Sequence, residues 1–348
     1  RIVSRQKWKI AKAKNNFKIF KPWLERILGL TIKKAELLGF EQHPYDALLD
    51  LYEEGLTTRQ VESLFKDLKP LKQLLGKVLQ RQDQELVKKV LVLEKTRYEK
   101  RDLQGLNLAV LKLFKFDFSR QRLDESAHPF TIGISPSDVR ITTRYEGFDF
   151  KRSLFSTVHE FGHALYDLQI DKALWFTPLH EGTSYGFHES QSRFWENMIC
   201  KNVAFLKLFK KEIHKRLSFT KSFDEQELYS YFTLVKPGLI RVDADEVSYN
   251  LHILLRFNLE KALIEQSLSV SELPQAWDQA MEEFLGVKPS NHSGGVLQDT
   301  HWSMGAFGYF PSYTIGNVLS AQVLEKLRSE LGSVEGLILN KEFSSIKE

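Results

Sequence analysis

Two histidines four residues apart, with a glutamate beside the first, are the side chains here best suited to chemistry: His159, Glu160 and His163. They lie in a run, residues 153–166, that reads as helix, where positions i and i+4 stand one above the other. Both imidazoles can therefore aim at one cation. Glu160 stands beside that point, angled away from ligation and placed to take a proton from a metal-held water. Gly162 adds weight, because a mid-helix glycine costs about 1 kcal/mol against alanine and signals close approach of another backbone.

A hydrolytic zinc site needs three protein ligands and one open position. The extended pattern with a third histidine nearby fails, since Tyr166 and Gln169 occupy the places where it requires glycine and histidine. A carboxylate from a following helix is the alternative. Glu189 is the first candidate, His188 its immediate rival, and Glu181 a weaker one.

These residues need elements to hold them. Residues 1–118 read as almost wholly helical. Pro22 is expected to open a helix that stops at Gly39, and Thr57 with Gln60 forms a capping box. Pro70 interrupts that second helix, an apolar stripe at Leu86, Val90 and Leu93 follows, and Gly105 is expected to separate it from another helix. Near residue 119 the character changes. Two alternating, β-branched stretches, 130–134 and 139–145, flank a turn at 135–138 and predict a short hairpin. After the histidine helix comes a loop with Gly182 and Gly186, then a helix from about Phe187 to Ile199. Pro237 and Gly238 break the chain before helices over 243–266 and 273–285, and a last helix is expected after Tyr313, to about residue 331. We expect one helical domain, with residues 1–118 as scaffold and 119–331 as catalytic core. Beginning at Arg1 and stopping in a charged tail, it is expected to be trimmed at both ends.

Composition narrows the function classes. With 348 residues, 42% of them hydrophobic, the chain can bury a large core, and a net charge of +4 gives no case for nucleic acid. A single cysteine, Cys200, excludes an internal disulfide and fits a reducing cytoplasmic compartment. No opening signal-peptide pattern or apolar run of membrane-spanning length is present, so no membrane partner is expected.

Six segments together carry a family likeness: HPF at 128–130, DVRIT at 138–142, HEFGH at 159–163, HESQ at 188–191, IRVDAD at 240–245 and GVLQDTHW at 295–302. In kind and order they resemble the signatures of the M32 metallocarboxypeptidases, the carboxypeptidase Taq family. The resemblance implies a mainly α, gluzincin-type fold like that of neurolysin and angiotensin-converting enzyme. It would have a deep active-site cleft and a small hairpin or sheet beside the zinc helix. It also implies a homodimer that uses one divalent metal per chain, usually Zn2+ with Co2+ able to substitute, and removes single residues from peptide C-termini. By carry-over, His159, His163 and Glu189 are the metal ligands and Glu160 the general base.

Two tasks remain for such an enzyme. The oxyanion needs a donor, for which we favour His301 with Tyr309 or Tyr313, spaced like the histidine and tyrosine of the converting-enzyme relatives. The substrate carboxylate needs a cation, for which Arg241 leads and Arg140 is the rival, since an arginine fork can bind a carboxylate through two hydrogen bonds. His128 and Gln298 are expected to support the substrate site, and Asp299 to orient a histidine. Two other readings stand beside this one: a dipeptidyl carboxypeptidase or oligoendopeptidase of the same fold, and an inactive helical binding scaffold.

Overall fold

The computed structural model describes residues 1–348 as a mainly helical protein with one small sheet. The chain gathers into two compact units, one formed by Arg1–Arg81 with Val235–Thr314, the other by Gln82–Leu234 with Ile315–Glu348. No helix is long and apolar enough to cross a membrane.

In the first unit, helices Phe17–Leu38, Glu246–Ile264 and Leu273–Leu285 bury Phe20, Leu24, Phe257, Leu263, Trp277 and Met281 in one core. The first of these starts at Phe17 rather than at Pro22. The Asn16 side chain accepts from Lys18 N and caps it, which leaves Pro22 inside the helix, where it forgoes one backbone hydrogen bond. The stop at Gly39 is as expected, with φ +80. Both hydrogen bonds of the Thr57–Gln60 capping box form, and Pro70 opens the helix Pro70–Arg81.

Glu260, fully buried, ties the loop from His301 to Tyr309 in place. It accepts hydrogen bonds from Tyr45 Oη at 2.6 Å, Trp302 Nε1 at 2.7 Å and Gly308 N at 3.0 Å. Burial pushes its carboxyl up to about 7 despite these three donors. Trp302 and Gly308 bracket the stretch between His301 and Tyr309, so both ends of that loop hang from one carboxylate.

The second unit holds the sheet: β1 (Gln121–Glu125), β2 (Thr131–Ser135) and β3 (Asp138–Thr143), in the order β1-β3-β2. The expected hairpin is β2 antiparallel to β3, and β1, which the alternation does not reveal, pairs parallel on the far side of β3. β2 and β3 lie against the histidine helix, Phe150–Gln169. Gly105 does not separate two helices; it sits inside the helix Lys100–Leu113, where the Arg216 side chain lies against it. Close cover by another side chain explains a glycine there without a break in the helix.

The helix Tyr185–Arg193 runs on into a π-helical turn, Phe194–Cys200, that the sequence pattern does not announce. Trp195 of that turn packs with Phe114 and Phe161, the latter on the core-facing side of the histidine helix. The last long helix spans Phe310–Leu331, so Tyr313 lies in its first turn rather than before it.

Candidate active site

Within the second unit, one donor atom each from His159, His163 and Glu189 lie within 4.8 Å of one another. Helical spacing accounts for the two imidazoles, whose ring centroids stand 4.9 Å apart. Glu189 reaches them from the helix Tyr185–Arg193, whose start is fixed by Ser184 Oγ accepting from Phe187 N. The two helices touch without side chains between them at Gly162. A Cβ there would stand 2.6 Å from both Gln191 O and Ser192 Cα. This is the backbone approach that a glycine at this position predicts. Gly316 makes room for the ligand itself: a Cβ there would meet the Glu189 side chain, Cγ at 2.8 Å and Cβ at 2.9 Å.

This donor set fits a divalent cation. Metal–ligand bonds near 2.0–2.1 Å in a tetrahedral arrangement separate the ligand atoms by about 3.3 Å. Glu189 Oε2 stands 3.4 Å from His163 Nε2 and 3.6 Å from His159 Nε2. At His159, burial would lower the imidazole, but Glu189 and Glu196 raise it above the ordinary range, so an incoming metal would displace a proton there. Burial alone would raise the Glu189 carboxyl, but His159, Arg193 and His163 hold it well below the usual carboxylate range. Burial, reinforced by His159, keeps His163 below the ordinary imidazole range against the pull of Glu189.

The surroundings orient the donors. His159 Nδ1 pairs with Glu196 Oε2 at 2.8 Å, which leaves Nε2 for a metal. Arg193 Nε donates to Glu189 Oε1 at 2.8 Å, occupying the oxygen that faces away from the imidazoles. Arg193 Nη1 also reaches Glu196 Oε2 at 3.4 Å. Burial would raise Glu196, yet Arg193, Lys201 and His159 bring it down to about 2. Sequence reading missed Arg193 and Glu196, although they follow Glu189 at helical spacing, i+4 and i+7, and so share its face.

Glu160 is not one of the converging donors. Its Oε2 lies 2.7 Å from Thr131 Oγ1, and the same hydroxyl lies 3.0 Å from the Glu160 carbonyl oxygen. Thr131 can thus donate to the carboxylate, or turn to the carbonyl and accept from the protonated acid. Of the rival ligands, Glu181 is exposed and outside the cluster, and His188 contacts His163 through Nδ1 rather than joining the trio.

The remaining candidates divide between the units. Arg140, on β3, makes a two-pronged pair with Asp138 at 3.0 and 2.8 Å, and His128 is exposed near β2. In the first unit, Arg241 is buried beneath the Tyr313 ring, 4.7 Å from its centroid, and donates to Asp299 and Tyr249. Asp299 also takes Arg256, so it pairs two guanidinium groups and stands 3.9 Å from His301 Nδ1. Those two arginines hold the Asp299 carboxyl far below its ordinary range against the effect of burial. Gln298 braces the same cluster, its Oε1 accepting from Arg241 N and Arg256 Nη2 and its Nε2 donating to Leu239 O and Gly294 O. His301 Nε2 meets Tyr313 Oη at 3.1 Å, and its ring stacks on Tyr309 with centroids 5.5 Å apart. Burial, with Arg241 and Arg256 adding to it and Asp299 opposing, pushes His301 down to about 3. His301 is therefore a neutral imidazole at physiological pH, a hydrogen-bonding group and not a cation.

The family model described as carboxypeptidase Taq (M32) metallopeptidase matches residues 1–348. The thermostable carboxypeptidase 1 of Pyrococcus furiosus is 48% identical over 342 residues, covering 98% of this chain and 68% of that protein. Carboxypeptidase 1 of Bacillus subtilis is 38% identical over 348 residues, with 98% and 68% covered. The apo-Mg structure of the Pyrococcus furiosus carboxypeptidase superposes with a TM-score of 0.94 at 47% identity, over 99% of this chain and 69% of that one.

Proposed function

We infer that this chain, which belongs to the carboxypeptidase Taq (M32) family of metallopeptidases, is a zinc-dependent carboxypeptidase that releases single amino acids from peptide C-termini with broad specificity. The observation that carries the reading is the convergence of His159, His163 and Glu189, with Glu160 beside them and outside the donor set. Two imidazoles and a carboxylate are the donor chemistry of a catalytic zinc site, and Co2+ accepts the same set. When bound, the metal supplies a Lewis acid for the scissile carbonyl and lowers the pKa of water toward neutrality.

The protein's own residues do the rest. Glu160 accepts the proton of the attacking water and returns it to the leaving amine. Thr131 serves it in both states, donating to the carboxylate before the transfer and accepting from the acid after it. We assign His301 and Tyr313, with Tyr309 stacked beside them, to hydrogen bonding of the oxyanion. For the substrate's terminal carboxylate we favour Arg241 over Arg140. Arg241 shares its carboxylate partner, Asp299, with Arg256, whereas Arg140 holds Asp138 through two hydrogen bonds, so Arg241 is the better placed to take an incoming anion. His128 and Gln298 we place in support of the substrate site. We take the working form to be a cytoplasmic homodimer, a state that light scattering would measure.

Two experiments test this reading. Mass spectrometry of an unblocked peptide incubated with zinc-loaded protein should reveal a ladder losing one residue at a time, abolished by chelator and restored by zinc. Dipeptide steps or internal fragments would replace it with the dipeptidyl or endopeptidase reading. Arg241→Ala should reduce kcat/KM on free C-termini by about 10- to 100-fold, the worth of a charge-assisted hydrogen bond, while sparing binding of C-terminally amidated peptides. Equal loss on both substrate types, with Arg140→Ala affecting only the free acid, would transfer the role to Arg140.

A further inference from the structure

His188, next to Glu189 and on the same helix, takes no part in the reaction as described. Its Nδ1 lies 2.6 Å from His163 Nδ1 and its Nε2 lies 2.8 Å from Asp167 Oδ1. Asp167 follows His163 by one helical turn, so both groups share a face of the histidine helix and His188 bridges them from its neighbour.

Proton placement follows from the partners. A carboxylate only accepts, so the proton of a neutral His188 sits on Nε2 and its Nδ1 presents a lone pair. His163 must then donate from Nδ1. Its own lone pair is left on Nε2, the atom that faces Glu189 Oε2 at 3.4 Å. The bridging ring is also confined sterically. Tyr166 meets it edge-on at 5.1 Å, and a Cβ on Gly182 would come within 2.9 Å of both His188 Cδ2 and Tyr166 Cε1. The other imidazole of the site is treated differently, since His159 Nδ1 meets a carboxylate, Glu196, with nothing between.

We propose that Asp167 and His188 form a relay that fixes the tautomer and ring angle of His163, which makes His188 a positioning residue for metal retention and not a ligand. The proposal rests on the ligand set given above. Histidine ligands are commonly held by a carboxylate, a carbonyl or water; here an imidazole stands in that place, itself aligned by an acid.

The test uses the full chain loaded with Zn2+ or Co2+, and reads metal release to a chelator and the visible spectrum of the cobalt form. His188→Phe should release metal about 10- to 100-fold faster, the usual effect of removing such a partner, with the cobalt bands unchanged because all three donors remain. His188→Asn puts an amide oxygen close to the position of Nδ1 and should recover most of the retention. Asp167→Ala should act in the same direction as His188→Phe. Release at the native rate from both His188→Phe and Asp167→Ala would overturn the relay, as would a shifted cobalt spectrum in His188→Phe, which would make His188 a ligand. If His188→Phe does not fold, His188→Asn and Asp167→Ala decide the question by the same two measurements. His163→Ala separates the two levels of inference: undiminished metal affinity in that variant would refute the ligand set itself.

Discussion

Glu160→Gln is expected to keep its metal and lose about 10²- to 10⁴-fold in kcat, the range for removal of a general base. The substitution preserves shape and leaves an oxygen to accept from Thr131, so the contact at 2.7 Å survives. What disappears is the capacity to take a proton. Because Glu160 is not one of the three converging donors, metal stoichiometry should stay at one per chain. Steady-state kinetics beside metal analysis separates the outcomes. Native turnover in the glutamine variant would remove Glu160 from the mechanism, and loss of metal would make it a ligand.

Gly162→Ala should give the largest change in stability, and its sign is the informative part. Alanine in place of glycine inside an exposed helix stabilises by about 1 kcal/mol. At Gly162 the added methyl would stand 2.6 Å from Gln191 O and Ser192 Cα, both backbone atoms that cannot swing aside. Helix separation or strain then costs roughly 1–3 kcal/mol or more, which exceeds the propensity gain. Gly29, in the helix Phe17–Leu38, is the internal control, because a Cβ there meets nothing within 4 Å and alanine should stabilise. Denaturant melts of the two variants should move in opposite directions. Ser192 lies on the helix that carries Glu189, so Gly162→Ala should also weaken metal binding. A stabilised, tightly binding Gly162→Ala protein would contradict the packing described.

Much of the active centre was legible because it obeys a local period. Spacing alone puts His159 and His163 together, and the unfavourable helix residue Gly162 marks the crossing. Glu189 was not fixed that way: His188 and Glu181 were open alternatives on spacing, and it was the family likeness that selected it. The features missed are those that depend on partners distant in sequence. β1 is built from Gln121, Arg122, Leu123, Asp124 and Glu125, which have little intrinsic preference for a strand and are recruited by pairing with β3. Gly105 was misread as a break because nothing local predicts the cover that Arg216 provides. Asp167 and His188 join across two helices, a pairing no window on one helix contains. Pro22 was given too much authority, since Asn16 is the stronger start signal and the helix tolerates the proline within it.

The close contacts at Gly162 and Gly316 limit how far Glu189 can drift from the imidazoles. Side chains between helices can repack and let a gap widen, but at Gly162 main chain meets main chain and leaves nothing to yield, while at Gly316 the space is taken by the Glu189 side chain itself. The position of Glu189 is therefore set by two absent methyl groups, one against the backbone of its helix and one against its own side chain. Here two hydrogen atoms, each standing where a side chain would otherwise begin, keep Glu189 within reach of the two imidazoles.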